Sequence, residues 1–291
     1  MDTAFALLAS PAGPGIGDDQ VVSPPSRRPR HHSDFDASAL AAARRGRAVS
    51  VCLPARDEGS TVGAIVTSVR RALVADSGGV DLVDEVLVVD DGSVDETARV
   101  AQAAGARVIA AGEAGGGKGQ ALRVAVAEAR GDVLVFLDAD VENFGAHYVT
   151  GLLGPLLTDD DVALVKGFYE RPVDGSPSGG GRVTELVARP LIDLLFPALA
   201  AIRQPLAGET AAPRSVLEKT GLDPDYGIEL GLLVDVADRF GADAIAQVDL
   251  GVRIHRNRPL AELRHEATDV LRAALRRTPA LELGADEGRY G

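Results

Sequence analysis

Apolar positions along the chain gather into short continuous runs, without the strict alternation of half-exposed strands. The clearest is Val133–Leu137, five apolar residues that run straight into Asp138, Ala139 and Asp140. A run of this length, apolar on both faces, fits a strand buried inside a parallel sheet. Similar runs cover Ala48–Leu53, Glu85–Val89, Arg107–Ala110, Ala163–Tyr169 and Ala244–Leu250. Helical spacing fills the intervals. Val62, Ile65, Val66 and Val69 share one face, Asp95–Ala104 is stopped by Gly105, and a glycine-rich stretch opens a helix running to about Ala129. Helices are also expected over Tyr148–Leu157, over Glu185–Leu199 with a break near Pro190, from Pro213, over Leu230–Phe240, and from about Leu260 to Arg277. Strands alternating with helices predict an α/β fold: a Rossmann-like, mostly parallel sheet flanked by helices, with a more helical C-terminal part. Residues 34–47 are expected to hold a short helix. Residues 1–33, rich in Pro, Gly, Ser and Arg and without periodicity, are expected to be a disordered leader before a single domain over 34–291.

Composition narrows the function. The chain has 291 residues, is 46% hydrophobic, and carries a net charge of −13 with a pI near 4.8. Such an acidic balance disfavours nucleic acid and anionic membrane as partners, while leaving room for a local basic pocket. Cys52 is the single cysteine, so there is no disulfide framework, and a reducing cytoplasm is the expected location. No apolar stretch reaches the length of a membrane span, and residues 1–10 lack the basic flank of a signal peptide.

The chemistry lies at the predicted strand ends. Ligands of open α/β sheets bind at the carboxyl ends of the strands, where Asp138 and Asp140 sit. Two acids one residue apart point the same way in extended chain. One can hold a hard cation such as Mg²⁺ or Mn²⁺, and the other can reach a sugar or ribose hydroxyl. Acids at strand ends also serve simply as helix caps, so the pair gains weight only from its company. Gly115–Gly119 lets the backbone approach a phosphate and supplies Lys118 as a point charge. The spacing after Lys118 is not that of a P-loop, and no Gly-x-Gly-x-x-Gly follows the first strand, which argues against a dinucleotide dehydrogenase. Pro54–Glu58 and Asp90-Asp91 end neighbouring strands, where a base and ribose would sit. Arg182, Thr184 and Asn257 can grip an anionic acceptor, and His255 is a candidate second metal ligand beside Asp140.

Pro54-Ala-x-Asp-Glu58, Val89-Asp-Asp-Gly-Ser93, Gly117-Lys-Gly119 and Leu137-Asp-Ala-Asp140 together resemble a glycosyltransferase of the A-type nucleotide-sugar fold. The segments Gly180–Pro190, Gln204–Glu209, Tyr226–Gly231 and His255–Pro259 narrow the resemblance to the actinobacterial glucosyl-3-phosphoglycerate synthases, from about Ala48 to Leu260. The resemblance implies a nucleotide-sugar half over 48–140, an acceptor half over 141–291, and metal-dependent transfer of glucose from UDP-glucose to 3-phosphoglycerate with retained configuration. By similarity, Pro54, Ala55, Arg56, Glu58, Asp91, Lys118, Asp138, Ala139, Tyr226, Glu229 and Arg258 would contact the donor. Gly181, Arg182, Thr184 and Asn257 would hold the acceptor, and Asp140 and His255 the metal. Leu206 through its carbonyl, Glu229 and Lys118 would serve catalysis, and members of such a family are usually homodimers. Two positions depart from the family pattern: Arg56 stands where an apolar residue is expected, and Asp91 where a serine is common. A GDP-mannose-using mannosyl-3-phosphoglycerate synthase and a polyprenyl-phosphate glycosyltransferase are the alternatives. Glu229 is the sole carboxylate in these motifs placed to act as a nucleophile, and the resemblance gives it to sugar hydroxyls, so front-face attack is the expected route to retention.

Overall fold

The structure, a computed structural model, describes residues 27–112, 116–171, 181–254 and 260–278. In chain order it contains β1 (Arg30–His31), α1 (Ala37–Ala43), β2 (Val49–Ala55), α2 (Val62–Leu73), β3 (Glu85–Asp90), α3 (Thr97–Ala103), β4 (Arg107–Ala110), α4 (Lys118–Glu128) and β5 (Val133–Phe136). Then follow α5 (His147–Thr158), β6 (Leu164–Glu170), α6 (Arg189–Leu195), β7 (Thr210–Pro213), α7 (Arg214–Leu217), α8 (Ile228–Phe240), β8 (Ile245–Val252) and α9 (Leu260–Arg276). One eight-stranded sheet runs through the described residues in the order β1-β8-β6-β7-β5-β2-β3-β4. All pairings are parallel except those of β7, which lies antiparallel between β5 and β6.

The continuous apolar runs serve two cores at once. Val49, Val51, Leu53, Val86, Val88, Val133 and Val135 enter one core, against α2 and α5. Cys52, Leu87, Val89, Leu134 and Phe136 enter the other, against α4, α8 and α9. Successive side chains of a strand point to opposite faces, so a strand covered on both sides must be apolar throughout. That is why these segments lack alternation and why the expected α/β class holds.

Three expectations need correction. Residues 27–33, expected to belong to a disordered leader, are among the described residues. Arg30 and His31 pair with β8 opposite Val248 and Asp249, while residues 1–26 lie outside the described residues. The segment after Gln204, read as a turn leading into a helix, contains β7. Its Thr210, Ala211 and Ala212 are small and fully covered, and pairing on both sides makes the strand where propensity alone does not. The helix expected over Glu185–Leu199 is three pieces: a π-helical turn over Thr184–Ala188, then α6, then a 3₁₀ turn over Pro197–Leu199. Pro190 and Pro197 each sit in the first turn of their piece, where no N–H is needed.

The C-terminal helix is tied to the sheet's ligand edge. Arg276 and Arg277 in and just after α9 both pair with Asp223 at 2.7 Å, and Arg277 also pairs with Asp235 on α8 at 2.7 Å. The loop that begins at Asp223 caps α4: Gln120 N–H donates to the Pro224 carbonyl at 2.9 Å. A Cβ on Gly119 would fall 2.0 Å from the Asp223 carbonyl oxygen, so glycine is required for that close approach.

Candidate active site

The turns after β2 and β3 are knitted together by short polar side chains. Asp57 adopts a left-handed φ of 57°, a conformation that Asp tolerates better than most residues. Its carboxylate accepts from Val94 N–H at 2.8 Å, and its own N–H donates to Ser93 Oγ at 3.0 Å. Glu58 N–H donates to Thr97 Oγ1 at 2.8 Å, and Gly59 N–H to Asp95 Oδ2 at 3.0 Å. Pro54 is half-buried and Ala55 buried at this edge, whereas Arg56 is exposed. Asp91 is buried; its Oδ2 accepts from Gly117 N–H at 3.1 Å and lies 3.8 Å from Arg56 Nη1, while its buried Oδ1 has no hydrogen-bond partner. The two departures from the family pattern therefore face each other.

Beyond β5 a chain of alternating charges crosses the edge of the sheet. Glu229 Oε1, on the first turn of α8, lies 2.7 Å from Lys118 Nζ at the start of α4. Lys118 donates to Asp138 Oδ1 at 2.8 Å, and Asp138 Oδ2 accepts from Arg253 Nη1 at 2.9 Å. Arg253 continues the chain, donating to Asp140 at 2.6 Å, Glu209 at 2.7 Å and the Tyr169 hydroxyl at 2.6 Å. Burial works against the charge of Lys118, but Asp138 and Glu229 outweigh it and hold the ammonium well above the usual lysine range. Burial likewise opposes the Asp138 charge, and Lys118 and Arg253 override it, holding that carboxyl far below the usual range. Glu209 goes the other way: burial, with Asp138 nearby, raises it despite Arg253.

Among the described residues no group of three or more His, Cys, Asp or Glu side chains is arranged to hold a metal. The donor set present still fits Mg²⁺ or Mn²⁺. Asp140 is about a quarter exposed, and one of its carboxylate oxygens takes no hydrogen bond from a described residue. These hard cations keep several waters and take one or two carboxylates plus substrate phosphates, which a single accessible carboxylate beside a diphosphate site can satisfy. Both oxygens of Asp138 are held by cationic side chains, leaving Asp140 as the freer donor. His255, together with Asn257 and Arg258, lies outside the described residues.

The remaining expected residues fall around this chain. Ala139 has its side chain buried in the core with α2, and its carbonyl accepts from Thr61 Oγ1 at 2.6 Å. It can offer a ligand only its backbone. Leu206 and Tyr226 are half-buried. A Cβ on Gly208 would lie 2.0 Å from Asp138 Oδ1 and 2.7 Å from Lys118 Nζ, so the loop that carries Leu206 presses its backbone onto the charged pair. Gly181, Arg182 and Thr184 open the π-helical turn, with Thr184 buried and Arg182 exposed. Arg171 connects them to the charge chain: a Cβ on Gly181 would lie 3.2 Å from its Nη1, and its Nη2 donates to the Tyr169 hydroxyl at 2.7 Å.

Sequence reasoning gave Arg253, Glu209, Tyr169, Arg171 and Lys166 no role. Usable signals existed: Glu209 closes the Gln204–Glu209 segment, Arg253 lies in a run of cations and hydrogen bonders, and Lys166 is a charge in the middle of an otherwise apolar buried run, which is rare without a purpose.

Residues 50–192 match Glycosyl transferase family 2. A glucosyl-3-phosphoglycerate synthase of Mycolicibacterium paratuberculosis is 46% identical, with 95% of this chain and 87% of the relative covered. One from Mycolicibacterium smegmatis is 49% identical, covering 82% and 80%. The crystal structure of the Mycobacterium tuberculosis glucosyl-3-phosphoglycerate synthase with Mn²⁺, UDP-glucose and phosphoglyceric acid superposes with a TM-score of 0.76 at 44% identity, covering 88% of this chain and 87% of that one.

Proposed function

Because the chain belongs to the glucosyl-3-phosphoglycerate synthase family, within Glycosyl transferase family 2, we propose that it transfers glucose from UDP-glucose to 3-phosphoglycerate. The observation that carries this reading is the charge chain Glu229–Lys118–Asp138–Arg253–Asp140 at the carboxyl edge of the sheet. Its cation beside a glycine approach suits a diphosphate, and its accessible carboxylate suits a hard metal. The turns after β2 and β3 take the uridine, with Asp91 and Arg56 beside it. Gly181, Arg182, Thr184 and Asn257 take the phosphoglycerate, and Tyr226 and Arg258 complete the donor site.

Within this reading each described side chain has a limited task. Lys118 stays protonated across the working pH range and lends fixed positive charge to the departing diphosphate. Asp138 stays a carboxylate, so it accepts hydrogen bonds from the nucleotide sugar and does not act as a general base near neutrality. A bound Mg²⁺ or Mn²⁺ would add Lewis-acid charge at Asp140, with His255 as its second protein ligand. Glu229 is paired with Lys118 and buried, which suits holding sugar hydroxyls better than serving as a free nucleophile. Retention then follows from front-face attack beside the Leu206 carbonyl, with the departing phosphate taking the acceptor's proton. No helix among the described residues is long and apolar enough to cross a membrane, in line with a small anionic acceptor. A homodimer in the cytoplasm is the expected state.

The test is a donor and acceptor matrix with the full chain and Mn²⁺, reading nucleoside diphosphate release. Release with UDP-glucose that requires 3-phosphoglycerate is expected. Release only with GDP-mannose would overturn the donor, and release independent of 3-phosphoglycerate would overturn the acceptor.

A further inference from the structure

Lys166 lies mid-strand in β6 with 2% of its surface exposed. A lysine at that depth ordinarily pairs with a carboxylate. Here Nζ donates instead to the Ala207 backbone carbonyl and, at 3.2 Å, to Thr210 Oγ1. The accepting segment, residues 204–210, is anchored at every side. The Gln204 side chain exchanges hydrogen bonds with the Tyr169 backbone, at 3.2 Å to its N–H and 2.6 Å to its carbonyl. Ala207 N–H closes a turn onto the Gln204 carbonyl at 3.1 Å, and Glu209 is held by Arg253 at 2.7 Å. Gly208 leaves no room for a Cβ against Asp138 and Lys118. The Lys166 ammonium grips the carbonyl next to that of Leu206. The loop is thus held both by the Lys166 cation at the Ala207 carbonyl and by the close approach of Gly208 to the Asp138–Lys118 pair.

We propose that Lys166 is a positioning residue for glucosyl transfer, its buried ammonium fixing the Ala207 carbonyl and so aiming the adjoining Leu206 carbonyl into the reaction crevice. This rests on the glucosyl-transfer reading above. The charged groups facing Lys166 are Glu229 from α8, Lys118 from α4, Glu209 from the loop before β7 and Asp138 after β5. Burial dominates, Glu229 opposes it, and Lys118 adds to it, bringing the ammonium down to about 8. Lys118 stays well above the ordinary lysine value, and burial pushes Tyr169 up to about 12, so neither titrates alongside. Loss of the Lys166 proton turns a charge-assisted hydrogen bond into a neutral one of roughly half the strength. The loop loosens without losing its donor.

The experiment compares the wild type with Lys166→Met and Lys166→Arg. It reads kcat and both KM values with UDP-glucose, 3-phosphoglycerate and Mn²⁺ from about pH 7 to about pH 9, together with melting temperature. In the wild type kcat should fall about fivefold with its midpoint around pH 8, with KM for UDP-glucose unchanged. Lys166→Arg should abolish that fall, because a guanidinium stays protonated there. Lys166→Met should lower kcat about 30-fold at neutral pH while UDP-glucose KM stays within about twofold. A wild-type kcat that is flat across this range overturns the proposal, as does a folded Lys166→Met variant with wild-type kcat. Wild-type turnover separates the two ideas: its absence strikes the glucosyl-transfer reading, and its presence beside an unimpaired Lys166→Met strikes the positioning role alone.

Discussion

Two buried carboxylates sit at opposite ends of the same sheet and behave in opposite ways. Glu85 opens β3 at the amino edge and is fully partnered. Ser50 Oγ donates to it at 2.6 Å, Arg130 N–H at 2.8 Å and Arg107 Nε at 2.8 Å. Ser50 Oγ in turn accepts from Gly131 N–H at 2.9 Å. Glu209 lies at the carboxyl edge, where one oxygen meets Arg253 and the other is buried with no hydrogen-bond partner, as is Arg253 Nε. Burial raises both carboxyls. At Glu85 the donors from Ser50, Arg130 and Arg107 win and hold it below the usual value, whereas at Glu209 burial wins. A buried charge with hydrogen-bond donors on both oxygens stabilises the fold. One with unspent hydrogen-bonding capacity at the ligand edge is arranged for something else.

The contrast breaks first at Asp138. Replacing it with Asn should lower kcat/KM about 10³-fold, since an aimed charge in a water-poor site contributes on the order of 4 kcal/mol. Wild-type turnover in Asp138→Asn would place the site elsewhere. Arg182→Ala should come next, raising KM for 3-phosphoglycerate about 30-fold by removing a charge-assisted contact and leaving KM for UDP-glucose nearly unchanged. An unmoved acceptor KM removes Arg182 from the phosphate subsite. Glu85→Gln should do the reverse of both: about 2 kcal/mol of stability lost through weakened buried hydrogen bonds, read by urea unfolding, with kcat within about twofold. A matching loss of kcat would erase the distinction between the two edges.

Protonation offers the finest test. Because its folded value is depressed, Glu85 contributes stability that is present above its unfolded value near 4.5 and is lost as pH falls through the folded value. Glu209, raised by burial, has the opposite sign: stability declines as pH rises from 4.5 through its folded value. Glu85→Gln should therefore flatten the acid limb of stability against pH, and Glu209→Gln should not. Identical limbs in both variants would contradict the assignment of opposite roles.

The amino-terminal half of the chain was legible because its signals are local. Strands β2, β3 and β5 carry dense apolar runs, and several donor-side candidates sit at or just after the strand that presents them: Pro54 and Glu58 at β2, Asp91 at β3, Asp138 and Asp140 at β5. The other half depends on contacts that sequence spacing does not encode. Arg253 reaches Asp138 across 115 positions and Tyr169 across 84. Lys166 meets Thr210 across 44 positions, through a strand, β7, whose Thr-Ala-Ala-Pro composition carries no apolar signature. Those residues were visible in the chain as isolated charges, and only the antiparallel insertion of β7 brings them to the loop that bears Leu206.

The most direct measurement is the proton NMR spectrum of the product formed by the full chain from UDP-glucose and 3-phosphoglycerate with Mn²⁺. We expect an α-glucosyl linkage on the phosphoglycerate hydroxyl, formed in step with UDP release and absent when either substrate is omitted. A β-linked product would contradict front-face transfer beside the Leu206 carbonyl, and UDP release with no glucosylated phosphoglycerate would contradict the assigned reaction itself.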